Sequence, residues 1–356
     1  MTSTHASYAA RARITASVGA LLLIAAFVSP SARACATCGC SLSTDAAMGY
    51  SAALGWRASL QFDYIDQGQL RSGTHSVTAP QVAAINDAGG DQEVERDTLN
   101  RYFTFGLSYR PNASWNFNLQ VPYIDRNHST YGSGTNPLTE DQVSSVDFSR
   151  LGDVKLLAGW QGLLPTHNLG FQLGVKLPTG DYGGPNASGT GTVGHDPVLF
   201  SSGPAAGQPL DTSLQPGTGS TDVIVGAYYY QAVSQNFDAF VNGQFQVAVS
   251  EKLDQAGADY RPGNLATVSF GLRYEADPNL VPQLQVNLTR KSRDQGALAD
   301  TTDTAGTVAY LSPGVSATVL KSLQVYGFVQ VPVYSNLDGY QLFPRWTATV
   351  GLSHSF

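Results

Sequence analysis

The amino-acid sequence predicts an all-β chain: a transmembrane antiparallel up-and-down β-barrel of about twelve strands, preceded by a cleaved signal peptide. Three observations predict it. Charged residues make up 13% of the 356 positions, about half the share usual in a soluble domain, while Gly (37) and Tyr (17) are plentiful. No internal run comes near the roughly 20 apolar residues that a membrane helix needs. From Gly55 onward, segments of about ten residues alternate apolar with polar side chains, as a strand does with one face on lipid and the other on a lumen. The net charge of −7 argues against nucleic acid as a partner.

The N-terminus reads as an export signal. Arg11 and Arg13 precede an apolar stretch from Val18 to Val28, Pro30 breaks it, and Ala32-Arg33-Ala34 is an A-x-A cleavage site. A retained anchor is the alternative, but the stretch is short for a span. The expected organisation is a signal peptide over 1–34, a periplasmic cysteine-containing segment over 35–54, and a barrel over 55–356 in the cell outer membrane.

The strands follow in order. In the first, Trp56, Ala58, Leu60, Phe62 and Tyr64 oppose Arg57, Ser59, Gln61 and Asp63. The third sets Trp115, Phe117, Leu119, Val121 and Tyr123 against Asn116, Asn118 and Gln120. A later one sets Leu284, Val286 and Leu288 against Gln283, Gln285 and Asn287. The last places Trp346, Ala348, Val350, Leu352 and His354 opposite Arg345, Thr347, Thr349, Gly351, Ser353 and Ser355. Starts fall near Gly55, Thr98, Trp115, Leu151, Leu169, Thr221, Phe237, Leu265, Leu280, Thr307, Leu323 and Arg345, an even number as bacterial barrels require. No helix is expected after Gly55.

Connections alternate in length. Short ones at 111–114, 163–168, 232–236, 277–279 and 321–322 belong in the periplasm; long ones at 67–97, 127–150, 179–220, 250–264, 292–306 and 335–344 belong outside. A soluble β-sandwich shares the alternation. Aromatics at both segment ends, such as Trp56 with Tyr64 and Trp115 with Tyr123, fit membrane girdles better. The terminal Phe356 on an alternating strand resembles the signal read by barrel-assembly machinery.

Several segments resemble one family of outer-membrane proteins, the transporter-like group labelled MetA-pathway of phenol degradation. They are Leu151-Gly152-Asp153-Val154-Lys155-Leu156, Gly174-Val175-Lys176-Leu177-Pro178-Thr179-Gly180-Asp181, Gly217-Thr218-Gly219-Ser220-Thr221-Asp222-Val223 and Leu311-Ser312-Pro313-Gly314-Val315, within a resemblance spanning roughly Phe148 to Phe356. The resemblance implies a barrel and the passage of small, often aromatic, compounds. It supplies no catalytic residues.

Three constellations could carry chemistry. Cys35, Cys38 and Cys40 lie within six residues, and an oxidising periplasm favours a disulfide with one thiol over. A soft metal ion on the three thiolates, lipid modification of Cys35, or a bond to a periplasmic protein partner are the alternatives. The C-x-x-C-H haem pattern is absent. The expected lumen lining is Arg57, Asp63, Asn116, Asn118, Gln120, Asp153, Lys155, Gln172, Lys176, Asn242, Gln244, Gln246, Arg273, Gln283, Gln285 and Asn287. Without a dominant sign, this set suits neutral or weakly polar solutes, unless its polar groups simply satisfy one another. The Gly- and Pro-rich loop from Thr179 to Ser220 is long enough to fold into the mouth. Its Asp181, His195, Asp196 and Asp211, with Asp222, could hold a cation, although turn chemistry accounts for such acids. The only close Ser–His neighbours, Ser353-His354-Ser355 and His128-Ser129, point to opposite faces of their strands and make no dyad.

The sequence therefore predicts a non-enzymatic, cofactor-free channel for small solutes, bounded by outer-membrane lipid. A structural barrel whose cysteine segment docks a partner or metal is the second reading, and a barrel-embedded lipid hydrolase the third.

Overall fold

A computed structural model describes residues 54–356. The expected signal peptide and the Cys35–Cys40 segment lie outside the described residues. Twelve barrel strands follow one another: β1 (Gly55–Gln67), β2 (Glu95–Arg110), β3 (Trp115–Thr130), β4 in two pieces (Ser144–Leu151 and Lys155–Trp160), β5 (Leu169–Lys176), β6 (Ser220–Ala232), β7 (Phe237–Glu251), β8 (Leu265–Tyr274), β9 (Leu280–Lys291), β10 (Gly306–Leu320), β11 (Leu323–Phe343) and β12 (Thr347–Ser355). Each pairs antiparallel with the next, and β12 also pairs with β1 through a nine-residue register from Arg57↔Ser355 to Ile65↔Thr347. That seam closes the sheet into a barrel without a free edge.

The alternation settles which face is which. On β9, Gln283, Gln285, Asn287 and Thr289 are buried while Leu284, Val286 and Leu288 are exposed. On β12, Thr347, Thr349 and Ser353 are buried, and Val350 and Leu352 are exposed. A polar residue hidden beside an exposed leucine is inverted for water and right for lipid. Aromatic pairs edge this apolar belt. At the short-turn side Trp56 stacks on Tyr109 at 4.5 Å, Trp160 on Phe171 at 6.4 Å, and Phe237 meets Tyr274 at 5.0 Å. At the other side Tyr64 stacks on Trp346 at 5.7 Å. Short turns mark the periplasmic side.

Inside, four large rings lie flat on glycines of the adjacent strand. Tyr228 faces Gly170, Phe240 faces Gly271, Phe328 faces Gly314 and Tyr326 faces Gly351 in direct register. A Cβ at any of these glycines would fall 2.1–2.2 Å from a ring carbon. Glycine is therefore what lets an inward ring occupy the wall instead of the lumen centre.

Three features depart from the sequence expectation. The loop expected over 127–150 shrinks to 131–143, because Ser144–Leu151 pairs with Tyr123–Thr130 and carries the wall above the membrane. Ala79–Asp87 forms a helix, α1, in the first long loop. Thr78 and Gln81 cap it reciprocally, a proline stands in its first turn, and it buries Val82 and Ala83 against Leu70 and Leu342. Nine residues are too few for a clear helical period. The stretch from Ser335 to Phe343, expected as loop, continues β11 because Gln69–Gly73 pairs with it beyond the end of β12.

Candidate functional site

The family-like motifs, far apart in sequence, meet in one buried knot where β4 is interrupted. Lys176 Nζ on β5 donates to Asp153 Oδ2 at 2.7 Å, to Ser220 O at 2.9 Å and to Thr218 Oγ1 at 2.5 Å, and lies 3.5 Å from Asp222 Oδ1. Asp153 also accepts from the backbone N–H groups of Gly180 and Thr218, both at 3.1 Å. Gly152, Gly180 and Gly217 pack backbone to backbone here; a Cβ on Gly180 would sit 3.0 Å from Gly152 and Gly217. One cation facing two carboxylates, all buried, is tolerable only because so many hydrogen bonds surround it. The knot anchors both ends of the long loop over 177–219.

That loop folds inward. Val198, Leu210 and Leu214 pack with Ile124, Val146 and Phe148 of the inner wall. Arg126 on β3 donates to the Leu214 carbonyl, to Asn100 Oδ1 at 2.6 Å and to Tyr102 Oη at 2.7 Å. Asn100 in turn donates to Gln67 at 2.8 Å. Asp211 caps the short 3₁₀ turn Thr212–Leu214 by accepting from Ser213 N at 2.6 Å. The loop thus stands across the outer mouth as an ordered wedge.

Between the wedge and the opposite wall remains a gap of about 30 Å³, lined by Glu93, Glu95, Asp211, Asp300 and Asp303 with Ser213, Tyr340 and Gln341. That is room for about two water molecules. Five carboxylates from three parts of the chain converge on it, and among the described residues none of the five makes an ion pair across the gap. Glu93 accepts from Thr130 Oγ1 at 2.8 Å, Glu95 from Leu342 N at 3.1 Å and Asp303 from Tyr340 N at 3.2 Å. Burial, reinforced by the charges of neighbouring carboxylates, pushes Glu93 up to about 7 and Asp303 up to about 6. Asp211 is raised for the same reasons, burial first. Sequence reading missed this ring, because its members sit in separate loops with no common spacing.

The residues expected to line the lumen divide into two groups. All face inward along their strands except Asp153, which sits in the knot with Lys176. Asp63, Asn242, Gln283, Gln285 and Asn287 are packed away from water. Asp63 accepts from Gln61 at 2.9 Å and from Thr349 at 2.6 Å, while Tyr326 donates to Gln61 at 2.6 Å. Gln283 donates to Ser316 at 2.9 Å and Asn287 to Ser312 at 2.8 Å. Arg57, Asn116, Asn118, Gln120, Lys155, Gln172, Gln244, Gln246 and Arg273 are half-buried. Among these Asn118 donates to Ser108 at 2.7 Å, Gln244 to Gln172 at 2.7 Å and Gln246 to Asp222 at 2.6 Å. The half-buried members thus lie mostly on β3–β8, and the inward polar residues of β9 are all buried.

The acids considered for a cation fall in three places. Asp181 and Asp196 both accept from Arg150 at 2.5 Å, with His195 3.1 Å from Asp181; Asp222 belongs to the knot and Asp211 to the mouth. Among the described residues no group of three or more His, Cys, Asp or Glu has the arrangement to hold a metal ion. Ser353 points inward while His354 points out toward Ser322, and His128 turns inward to Thr98 at 2.7 Å while Ser129 bonds Asp97 on the outer face.

No family model matches the chain, and no curated relative does. Solved structures do. The COG4313 outer membrane channel from Pseudomonas putida F1 aligns with a TM-score of 0.60 at 12% identity, over 86% of this chain and 97% of that one. The CymD monoaromatic hydrocarbon channel aligns at a TM-score of 0.43 and 11% identity, over 88% and 93%. The toluene transporter TbuX of Ralstonia pickettii aligns at 0.41 and 12%, over 92% and 96%. The first of these likenesses establishes a shared outer-membrane barrel fold over nearly the whole described chain.

Proposed function

We propose that this outer-membrane barrel is a channel for small solutes, uncharged or positively charged, with aromatic and weakly polar compounds among them. The observation that carries the reading is the mouth: an inward-folded loop borders a narrow gap, and every titratable side chain at that gap except Tyr340 is a carboxylic acid. Half-buried amides on β3, β5 and β7 face inward below it. Such a ring repels anions and lowers the barrier for cations, most strongly where walls exclude water. Polar lining without strong charge lets a neutral solute exchange hydration for weak contacts all along the lane. The gap has room for water but for no ring-sized solute, so a larger molecule passing there requires the wedge to shift.

Conductance in planar bilayers under a salt gradient tests this directly. The wild-type reversal potential should report cation preference. The double change Glu93→Gln with Asp303→Asn should lower the cation-to-anion permeability ratio several-fold while leaving the barrel folded. Cation preference should also weaken between pH 8 and pH 5, as groups titrating near 7 and 6 become neutral. Folded protein that passes no ions and no neutral solutes in liposome swelling would mean that the lumen is a sealed polar core.

A further inference from the structure

We propose that the lipid-facing wall holds one phospholipid acyl chain in a groove centred on Ala158. In the outward row Phe117↔Ala158↔Leu173, shared by β3, β4 and β5, the middle residue is small and its neighbours are large and exposed. The dip between them, open along the lipid face, spans about 610 Å³. Leu156, Val175 and Val223 continue its lining along the next row. Asn118, Leu157 and Gly174, which face the lumen, also border it, so the groove reaches the sheet backbone. Gly174 itself faces the lumen, where a Cβ would fall 2.5 Å from the Leu157 side chain.

The occupant follows from where the groove opens. It is a depression in the apolar belt, continuous with the surface that meets membrane lipid, and Trp56 and Tyr109 stack at its periplasmic end. Amphipathic rings of this kind sit at headgroup level. A chain of the inner leaflet, whose headgroup lies beside those rings, therefore enters from its own depth. Lipid tails are as apolar as the wall, so retention comes from packing: an unfilled void forfeits contacts that a flexible hydrocarbon recovers. A rigid neighbouring side chain has no reach into it.

The experiment extracts the barrel in polymer-bounded native nanodiscs and counts retained phospholipid by native mass spectrometry after collisional stripping. Wild type should keep one phospholipid. Ala158→Phe, which fills the dip, should reduce its occupancy at least tenfold, while Ala348→Phe on the distant β12 face should leave it unchanged. Leu173→Ala removes one bank without adding bulk, so it supports the test if Ala158→Phe fails to fold; it should reduce occupancy several-fold. Equal retention in wild type, Ala158→Phe and Leu173→Ala would overturn the assignment. So would wild type that keeps no phospholipid, or one that loses it to an added aromatic hydrocarbon at equimolar concentration.

Discussion

Asp153, Lys176 and Asp222 show how single residues in distant motifs act as one. Lys176 is nearly free of solvent, and removing its charge leaves two buried carboxylates without their cation. Breaking such a buried pair costs about 3–5 kcal/mol. Lys176→Met should therefore lower barrel stability by about that amount in urea unfolding from bilayers, and Asp153→Asn added to it should recover part of the loss. An unchanged midpoint for Lys176→Met would mean that the knot contributes nothing net. At this scale the sequence was partly legible. The motif residues stood out, and alternation placed Lys176 inward, while Asp222 was read only as a loop acid. Alternation gave no sign that Asp153 would leave the strand to join them, because its position depends on Gly152, Gly180 and Gly217 packing with no side chains between.

Strands were the most legible elements, since period two records the burial of one face directly. The seam residues Leu60, Leu352, Asp63 and Thr349 fall on the faces that alternation assigns. Helix α1 was invisible for the opposite reason: its nine residues bury only one side against a loop-borne cluster. Also unread were the glycine-seated rings, because a strand glycine carries no pattern that names its partner. They make a sharp prediction. Gly351→Ala places a Cβ in the Tyr326 ring and should destabilise the barrel by about 1–3 kcal/mol, as overpacking does. Tyr326→Leu with Gly351→Ala should be closer to wild type than the two single effects added together. Additive effects in that cycle, read from unfolding midpoints, would show that ring and glycine are not coupled.

At the scale of the whole molecule, the length of the loop over 177–219 announced a constriction, and the loop does fold into the mouth. The charge of the gap did not show, because Glu93, Asp211, Asp300 and Asp303 become neighbours only after three loops close over the barrel. Arg126 is the polar tether at the inner tip of the wedge, beside the Ser145–Ser202 bridge and the apolar packing. Arg126→Met should loosen the loop, raise single-channel conductance and let larger neutral solutes swell liposomes, with the strands intact. Unchanged conductance would place the constriction elsewhere. Glu93 and Asp303 titrate higher in the folded mouth than in an unfolded chain, so folding favours their protonated forms. Their effect on the mouth is therefore least unfavourable below about pH 4. Stability is lost progressively as pH rises through about 6 to 7. Hydrogen exchange in the loop, corrected for the intrinsic rate, should be faster at pH 8 than at pH 5; the reverse order would contradict the raised values.

The seam between β1 and β12 also sets a timetable. Its partners, Arg57 with Ser355 through Ile65 with Thr347, come from opposite ends of the barrel sequence. Until β12 exists, β1 and the most recently made strand both expose unpaired backbone, and no hydrocarbon core accepts that. A growing chain thus has no stable membrane-inserted halfway state of its own. It must be carried unfolded across the periplasm and inserted with both edges shielded. The nine pairs of the seam are then the last contacts made and the ones on which the permanence of all earlier contacts depends.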